Sequence, residues 1–295
     1  MAIPKPTDWS VAYARVQRLA DRDVLKVLQQ ASRDINRMLA RIAAQPRGIG
    51  NMVREEQLLT VKRNLLREQA AIFDRLGDVI RARRLEAAAR AVRLGSAIDT
   101  ALLEAAGRTG QARALREALT RGLNQTIELA MARMGASALP LSERIYTTRV
   151  WLDGRLSRMI DSALLRGLTA REFAAEARPW FNPDVPGGTR YAALRLARSE
   201  INNAFHAITV TNGMDKPWID AMKWRLSRSH PKADVCDQYA HGGRDGDGVY
   251  LPQDVPRKPH PHCFCYVTPE PPDEDEFLGN LVAGKYNDYL DRVAR

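Results

Sequence analysis

WRLSRSHPKADVCDQYAHGGRDGDGVYLPQDVPRKPHPHCFCYVTP, residues 224–269, holds all three cysteines of the 295-residue chain and four of its five histidines. Cys236 stands before a Gly-rich run, Cys263 and Cys265 after it, and His230, His241, His260 and His262 are interspersed. Thiolate and imidazole together suit tetrahedral zinc. The stretch is rich in Pro and Gly and too poor in apolar residues to bury a core of its own, so a metal cross-link would supply the missing stabilisation. The expected ligands of a structural zinc are Cys236, His260, Cys263 and Cys265, with His262, His241 and His230 as alternatives for the histidine. The competing readings are a set of reduced, partly buried thiols on a loop, or a disulfide from Cys236 to Cys263 or Cys265 in a protein that ends up outside the cell.

Working outward, composition sets the frame. The apolar content is ordinary, so a packed core is expected. The formal charge of +10 favours an acidic partner such as nucleic acid. Three clustered cysteines argue against a secreted disulfide scaffold, and MAIPKPTDWS lacks a signal-peptide core. No run of about 18 apolar residues exists, so no membrane span is expected.

Proline divides the chain. Twelve of the 16 prolines lie at or after Pro179, and only Pro46 and Pro140 fall between residues 7 and 178. The earlier part therefore permits long helices. Asp8 or Ser10 is the expected cap of the first, whose apolar stripe is Val24, Leu28, Ala31, Ile35, Met38 and Ile42, ended by Pro46, Gly48 and Gly50. A second helix is expected from about Val53 to Gly95, with Leu58, Val61, Leu65, Ile72, Leu76 and Val79 as its stripe. A third runs from Ser96 to Met134, with Gly107 and Gly110 as a break. Such stripes suit antiparallel hairpins or coiled-coil-like contacts. Arg81, Arg83, Arg84, Arg90 and Arg93 make the second helix basic. They read as a DNA or partner contact on one account and as a solvated helix face on the other.

After Pro140, Ile145, Val150, Leu156, Ile160 and Leu164 mark a helix ended by Gly167. Thr169 and Glu172 form a capping box for the next helix, which Pro179 closes. PDVPGGT is a loop, and Thr189 caps a helix whose stripe is Leu194, Ala197, Ile201, Ala204 or Phe205, and Ile208. Short strands follow near IDAMKWRLS, at Val249 to Leu251, and in CFCYVTP with Cys263, Cys265 and Val267 on one face. Residues 270–276 form an acidic linker, and FLGNLVAGKYNDYLDRVAR a closing amphipathic helix. The expected fold is a mainly α N-terminal helical region plus a small α+β C-terminal module with a Cys/His metal-stapled loop. The expected divisions are 1–139 for partner contact, 140–269 for the module, and 270–295 for linker and last helix.

Enzyme motifs fit poorly. Gly279-x-x-x-x-Gly284-Lys285 resembles a phosphate loop but has Tyr286 where Ser or Thr belongs, and it follows an acidic linker instead of a strand. The zinc deaminase, H-E-x-x-H and G-x-S-x-G patterns are absent. A metal-dependent nuclease remains the rival: His230, His260 and His262 with Asp234, Asp237, Asp245 and Asp247 offer a cation site on a basic chain, although three thiolates suit a closed zinc site better than hydrated magnesium.

One set of features occurs in order: the helix–Gly–helix of Leu164 to Phe181, Ala197-Arg198-Ser199-Glu200 on a helix, Trp224 before a strand, Asp234-Val235-Cys236, the loop Gly242 to Gly248, and His260-Pro261-His262-Cys263-Phe264-Cys265. This set resembles the Mu F-like minor head protein family of tailed phages, also described as head morphogenesis proteins. It covers about Arg144 to Pro269. The family more often has Thr at Ser199, Asn at His262 and Arg at Phe264, which leaves the identity of the histidine ligand open. The resemblance implies a non-enzymatic virion component, several copies per particle, assembled in the host cytoplasm and located in the capsid near the portal. Its partners would be the portal protein and also the major capsid protein or packaged DNA. Its role would be head assembly, DNA packaging, retention or ejection, with a transient assembly factor as a further alternative. Arg198, Glu200, Trp224 and Asp234 are expected to be structural. Arg198 and Glu200, two apart on a helix, cannot face each other, so each needs a partner elsewhere, expected on the metal-loop segment.

Overall fold

The structure, a computed structural model, describes residues 3–44, 51–120, 123–134, 141–182, 188–228, 230 and 232–294. The expected helix breakers Pro46, Gly48, Gly50 and Pro140, most of the PDVPGGT loop and the side chain of Ile42 lie outside the described residues. The elements are α1 (Pro6–Ala43), α2 (Asn51–Ala105), α3 (Thr109–Thr120), α4 (Leu123–Arg133), α5 (Leu141–Leu165), α6 (Ala170–Phe181), α7 (Gly188–Met214), β1 (Ala221–Arg225), α8 (Val235–Ala240), β2 (Val249–Tyr250), β3 (Tyr266–Glu270), α9 (Glu274–Val282) and α10 (Asn287–Ala294). The protein is thus mainly helical, with one small antiparallel sheet near its C-terminus. No helix among the described residues is long and apolar enough to cross a membrane.

The chain forms two compact units, each discontinuous in sequence. One comprises residues 19–81 and 139–198, the other residues 1–18, 82–138 and 199–295. This interleaving differs from the three successive segments expected. The long helices α1, α2 and α7 each give residues to both units, so a division read along the chain cannot follow them.

Every regular element of the first unit among the described residues is a helix. Its core takes Val24, Leu28, Ile35 and Leu39 from α1, Leu58, Leu65, Ile72 and Leu76 from α2, Leu152, Leu156 and Ile160 from α5, Phe173 and Ala177 from α6, and Ala193 and Ala197 from α7. Each large apolar side chain buried there contributes about 1.5–3 kcal/mol. The stripes of α1 and α2 hold from Val24 to Ile35 and from Leu58 to Leu76, but Met38 and Val79 are only partly buried, and Leu39 and Ile80 beside them are fully buried instead. That of α5 also differs: Val150 is exposed, and Leu152 takes the buried position one turn before Leu156. Gly167 ends this helical stretch with φ +68, and the Thr169–Glu172 capping box starts α6 as read. Pro179 lies inside α6, which runs on to Phe181.

The second unit holds the sheet, in the order β2-β1-β3 with both pairings antiparallel. The register sets Trp224 opposite Val267 and Met222 opposite Tyr250. Met222 and Trp224 alternate inward along β1, as period-two pleating requires. Against this layer lies α7: His206 meets Trp224 at 5.8 Å between ring centroids, and Phe205 meets Trp9 and Tyr13 of α1 at 6.1 and 5.1 Å.

Several boundaries differ from expectation for local reasons. Pro6 opens α1, two residues before the expected cap, because proline is preorganised for a first helical position. Similarly, α7 begins at Gly188, ahead of Thr189. Gly95 does not end α2, which continues ten residues to Ala105; a Cβ there would meet the Lys216 ammonium at 3.4 Å. The break comes at Gly107, at φ +73. The strand β3 starts at Tyr266, so Cys263 and Cys265 precede it. The acidic linker shrinks to three residues, because Asp273 caps α9 by accepting from the Asp275 N–H. The last helix is two, divided at Gly284 with φ +79. Both fold onto their own unit around Trp218, whose ring stands 5.9, 5.6 and 5.2 Å from those of Phe277, Tyr286 and Tyr289.

Candidate metal centre

The three sulfurs converge. Cys236, Cys263 and Cys265 are all buried, and their Sγ atoms lie within 4.8 Å of one another. That of Cys236 is 3.5 Å from that of Cys263. A tetrahedral zinc bonded at about 2.3 Å requires sulfurs about 3.8 Å apart, so the donors fit such an ion with small adjustment. The thiols are free of disulfides.

Each arm is built by local chemistry. Cys236 sits in the first turn of α8, whose cap is Asp234. The Asp234 carboxylate accepts from the Cys236 N–H at 2.6 Å, and Asp237 returns a bond from the Asp234 N–H at 2.7 Å. This reciprocal cap was readable in D-V-C-D but was missed. The loop after α8 doubles back on glycine. Gly243 and Gly248 have φ +75 and +79, and a Cβ on either would strike the Val249 or Ala240 carbonyl oxygen, at 2.2 and 2.7 Å. On the other arm His262 adopts φ +63. Asn and His tolerate this left-handed conformation better than most residues, which gives a backbone reason for an Asn or His between Pro261 and Cys263.

Backbone amides complete the sulfur environment. The Ser227 N–H donates to the Cys265 sulfur, and the Cys265 N–H to that of Cys263. The thiol of Cys236 is shifted upward chiefly by hydrogen bonding with Cys263. Cys263 is shifted strongly downward, chiefly by hydrogen bonds from Cys236 and Cys265, with help from the Lys258 ammonium. The three thiols thus compete with one another for protons. A divalent cation would relieve this competition by binding all three as thiolates.

Two histidines flank the sulfurs. His230 Nδ1 lies 3.8 Å from Cys265 Sγ, and its Nε2 is 2.8 Å from the Asp237 carboxylate, which raises the imidazole pKa. His260 Nε2 is 3.7 Å from Cys236 Sγ and 3.0 Å from Asp234, and the His260 side chain is more exposed, 39% against 12% for His230. His241 is exposed at the end of α8, with Nδ1 on the Asp237 carbonyl. Neither His241 nor His262 joins a group of potential ligands among the described residues. The fifth histidine, His206, is buried and pushed down to about 3, chiefly by burial and then by Lys258. The neutral ring's Nε2–H donates to the Pro256 carbonyl at 3.0 Å.

The partners of Arg198 and Glu200 differ from those expected on the metal-loop segment: their ion pairs run to the long helices α1 and α2. Arg198 makes a two-pronged pair with Asp21 of α1, at 2.8 and 2.7 Å, and Glu200 faces Arg84 of α2 at 3.8 Å. The helix is tied to the loop two residues later. Asn202 donates to the Cys263 carbonyl at 2.6 Å, the Tyr13 hydroxyl donates to the same oxygen at 2.9 Å, and Lys258 donates to the Cys265 carbonyl. Gln17 in turn holds Asn202. Tyr13, Gln17, Asn202 and Lys258 carried no sequence signal beyond polarity beside apolar stripes. Trp224 lies within β1, not before it, and is buried edge-on to Tyr239 at 5.0 Å.

The basic helix is corrected too. Arg84 is buried and pairs with Glu128 at 2.9 Å, so it is no surface contact. Arg81 pairs with Asp78, while Arg83 and Arg90 share Glu86. Of the five, Arg93 is exposed and makes no ion pair with a described residue.

No protein-family model, no curated protein and no solved structure matches this chain.

Proposed function

We propose that this chain is a structural minor head protein of a tailed phage, of the Mu F-like kind, seated near the portal vertex, with its sheet-bearing unit closed by one zinc ion. The observation that carries the reading is the convergence of three buried thiols from the D-x-C and C-x-C segments, the two most distinctive parts of the ordered motif set. Three thiolates and one imidazole make a closed tetrahedral site, which serves folding instead of catalysis. His230 is the better fourth ligand. With Nε2–H donated to Asp237, its Nδ1 presents a lone pair toward Cys265, the arrangement in which a carboxylate orients a ligating histidine. His260 is the alternative.

The nuclease reading has less support. Asp234 and Asp237 are used as reciprocal caps of α8, and Asp247 faces Lys223 at 3.5 Å on the Gly-rich loop. Asp234 and Asp237 do gather with His230 into a group that could hold a cation, but Asp245 and Asp247 join no such group among the described residues. The test is quantitative mass spectrometry of purified particles, counting this chain against the major capsid protein. A few copies, one portal ring or fewer, is the expected result. Absence from mature particles contradicts the virion assignment and points to a transient assembly factor.

A further inference from the structure

The two ends of the sheet in the second unit carry opposite charge. Beside the end of β1 and the start of β3 opens a cleft of about 810 Å³, bounded on its other side by the first turns of α1. Arg18, Arg225 and Arg228 line it with apolar Val11, Leu226 and Phe264, and no carboxylate lies among its described lining residues. Arg225 is engaged by Glu270 at 2.8 Å. Arg18 and Arg228 are exposed and make no ion pair with a described residue. The cleft thus offers two uncommitted guanidinium groups beside an apolar wall.

At the far end of β3 lies the complement. Asp273, Glu274, Asp275 and Glu276 are consecutive and exposed. Glu274, Asp275 and Glu276 make no ion pair with a described residue. This acidic corner is held rigidly: Pro271 and Pro272 lead into it, Asp273 caps α9, and Phe277 and Leu281 of α9 are buried. It cannot fold back into the cleft of its own chain. Five residues of β3 separate Tyr266 from Glu270 by about 13 Å at ~3.3 Å per residue, and α9 is anchored on Trp218, ahead of the first residue of β1.

We propose that the acidic corner of one copy docks in the arginine cleft of the next, joining copies head to tail. Two different complementary patches on one molecule make a heterologous interface, which propagates into a ring or an open chain. The proposal rests on the placement of charge and does not depend on the virion role.

Sedimentation velocity of the full chain tests it. At about 50 mM salt the protein is expected to form dimers and larger species, and at about 500 mM their association constant is expected to fall at least tenfold, because contacts between exposed charges are screened. Arg18→Gln with Arg228→Gln removes the cleft's charge. Glu274→Gln, Asp275→Asn and Glu276→Gln together neutralise the corner. Each variant alone should be monomeric at low salt with an unchanged melting temperature, since all five side chains are exposed. An equimolar mixture should form dimers and nothing larger, because one intact cleft then meets one intact corner. A wild-type chain that stays monomeric at low salt overturns the proposal. So does an oligomer that survives both variants, or one that forms only when duplex DNA is added.

Discussion

Cys263→Ser is expected to unfold the sheet-bearing unit or lower its stability by at least about 4 kcal/mol, a fraction of the roughly 10–16 kcal/mol that structural zinc contributes in small peptides. The residue does two jobs. Its sulfur lies in the three-thiol group, and its carbonyl receives Tyr13 of α1 and Asn202 of α7. Serine keeps the backbone acceptor, so the loss reports the sulfur alone. Thermal unfolding with and without a chelator separates the causes: chelation should destabilise the wild-type chain by a similar amount and the variant hardly at all. His230→Ala should follow Cys263→Ser, and His241→Ala should not. Equal stability of wild type and Cys263→Ser in the presence of zinc contradicts the assignment.

The second large effect belongs to a charge pair far from the sulfurs. Asp99→Asn is expected to cost about 3–5 kcal/mol, the usual penalty for leaving a buried charge without its partner. Asp99 of α2 and Lys216, just after α7, are both buried and in contact. Burial raises the Asp99 pKa, opposed by the Lys216 ammonium and by hydrogen bonds from Lys216 and Trp218. The Trp218 indole N–H donates to the other carboxylate oxygen at 3.0 Å, and the same ring carries the aromatic cluster that seats α9 and α10. Loss of Asp99 therefore loosens the C-terminal helices as well. Chemical denaturation should show the drop, and the double substitution Asp99→Leu with Lys216→Met should recover most of it by removing both charges. A double variant as unstable as the single one would assign the effect to packing.

How far the sequence carries depends on the kind of signal. The stripes of α1, α2 and α7 were legible because apolar side chains at helical spacing have one economical burial. The Thr169 capping box was legible because its bonds are local. The convergence of Cys236, Cys263 and Cys265 was legible from clustering alone. Three things were not. The interleaved units come from helices 38 and 55 residues long that serve both, and no composition shift marks the crossing points. The partners of Arg198 and Glu200 lie 177 and 116 positions away by subtraction, at Asp21 and Arg84, beyond any local rule. The exclusion of Arg84 from the surface is equally non-local: its helix reads as basic all along, and burial against Glu128 and Glu200 decides the matter. The histidine ligand was ambiguous because spacing favoured His260, whereas orientation by Asp237, a tertiary property of the α8 cap, favours His230.

The most direct test of the metal-stapled unit is native mass spectrometry of the purified full chain, combined with alkylation of its thiols. The account predicts about one zinc ion per chain and three cysteines that resist alkylation until a chelator is added, after which the sheet-bearing unit unfolds. A metal-free, folded chain whose stability ignores chelators, with its cysteines free or with Cys236 joined to Cys263, would contradict it.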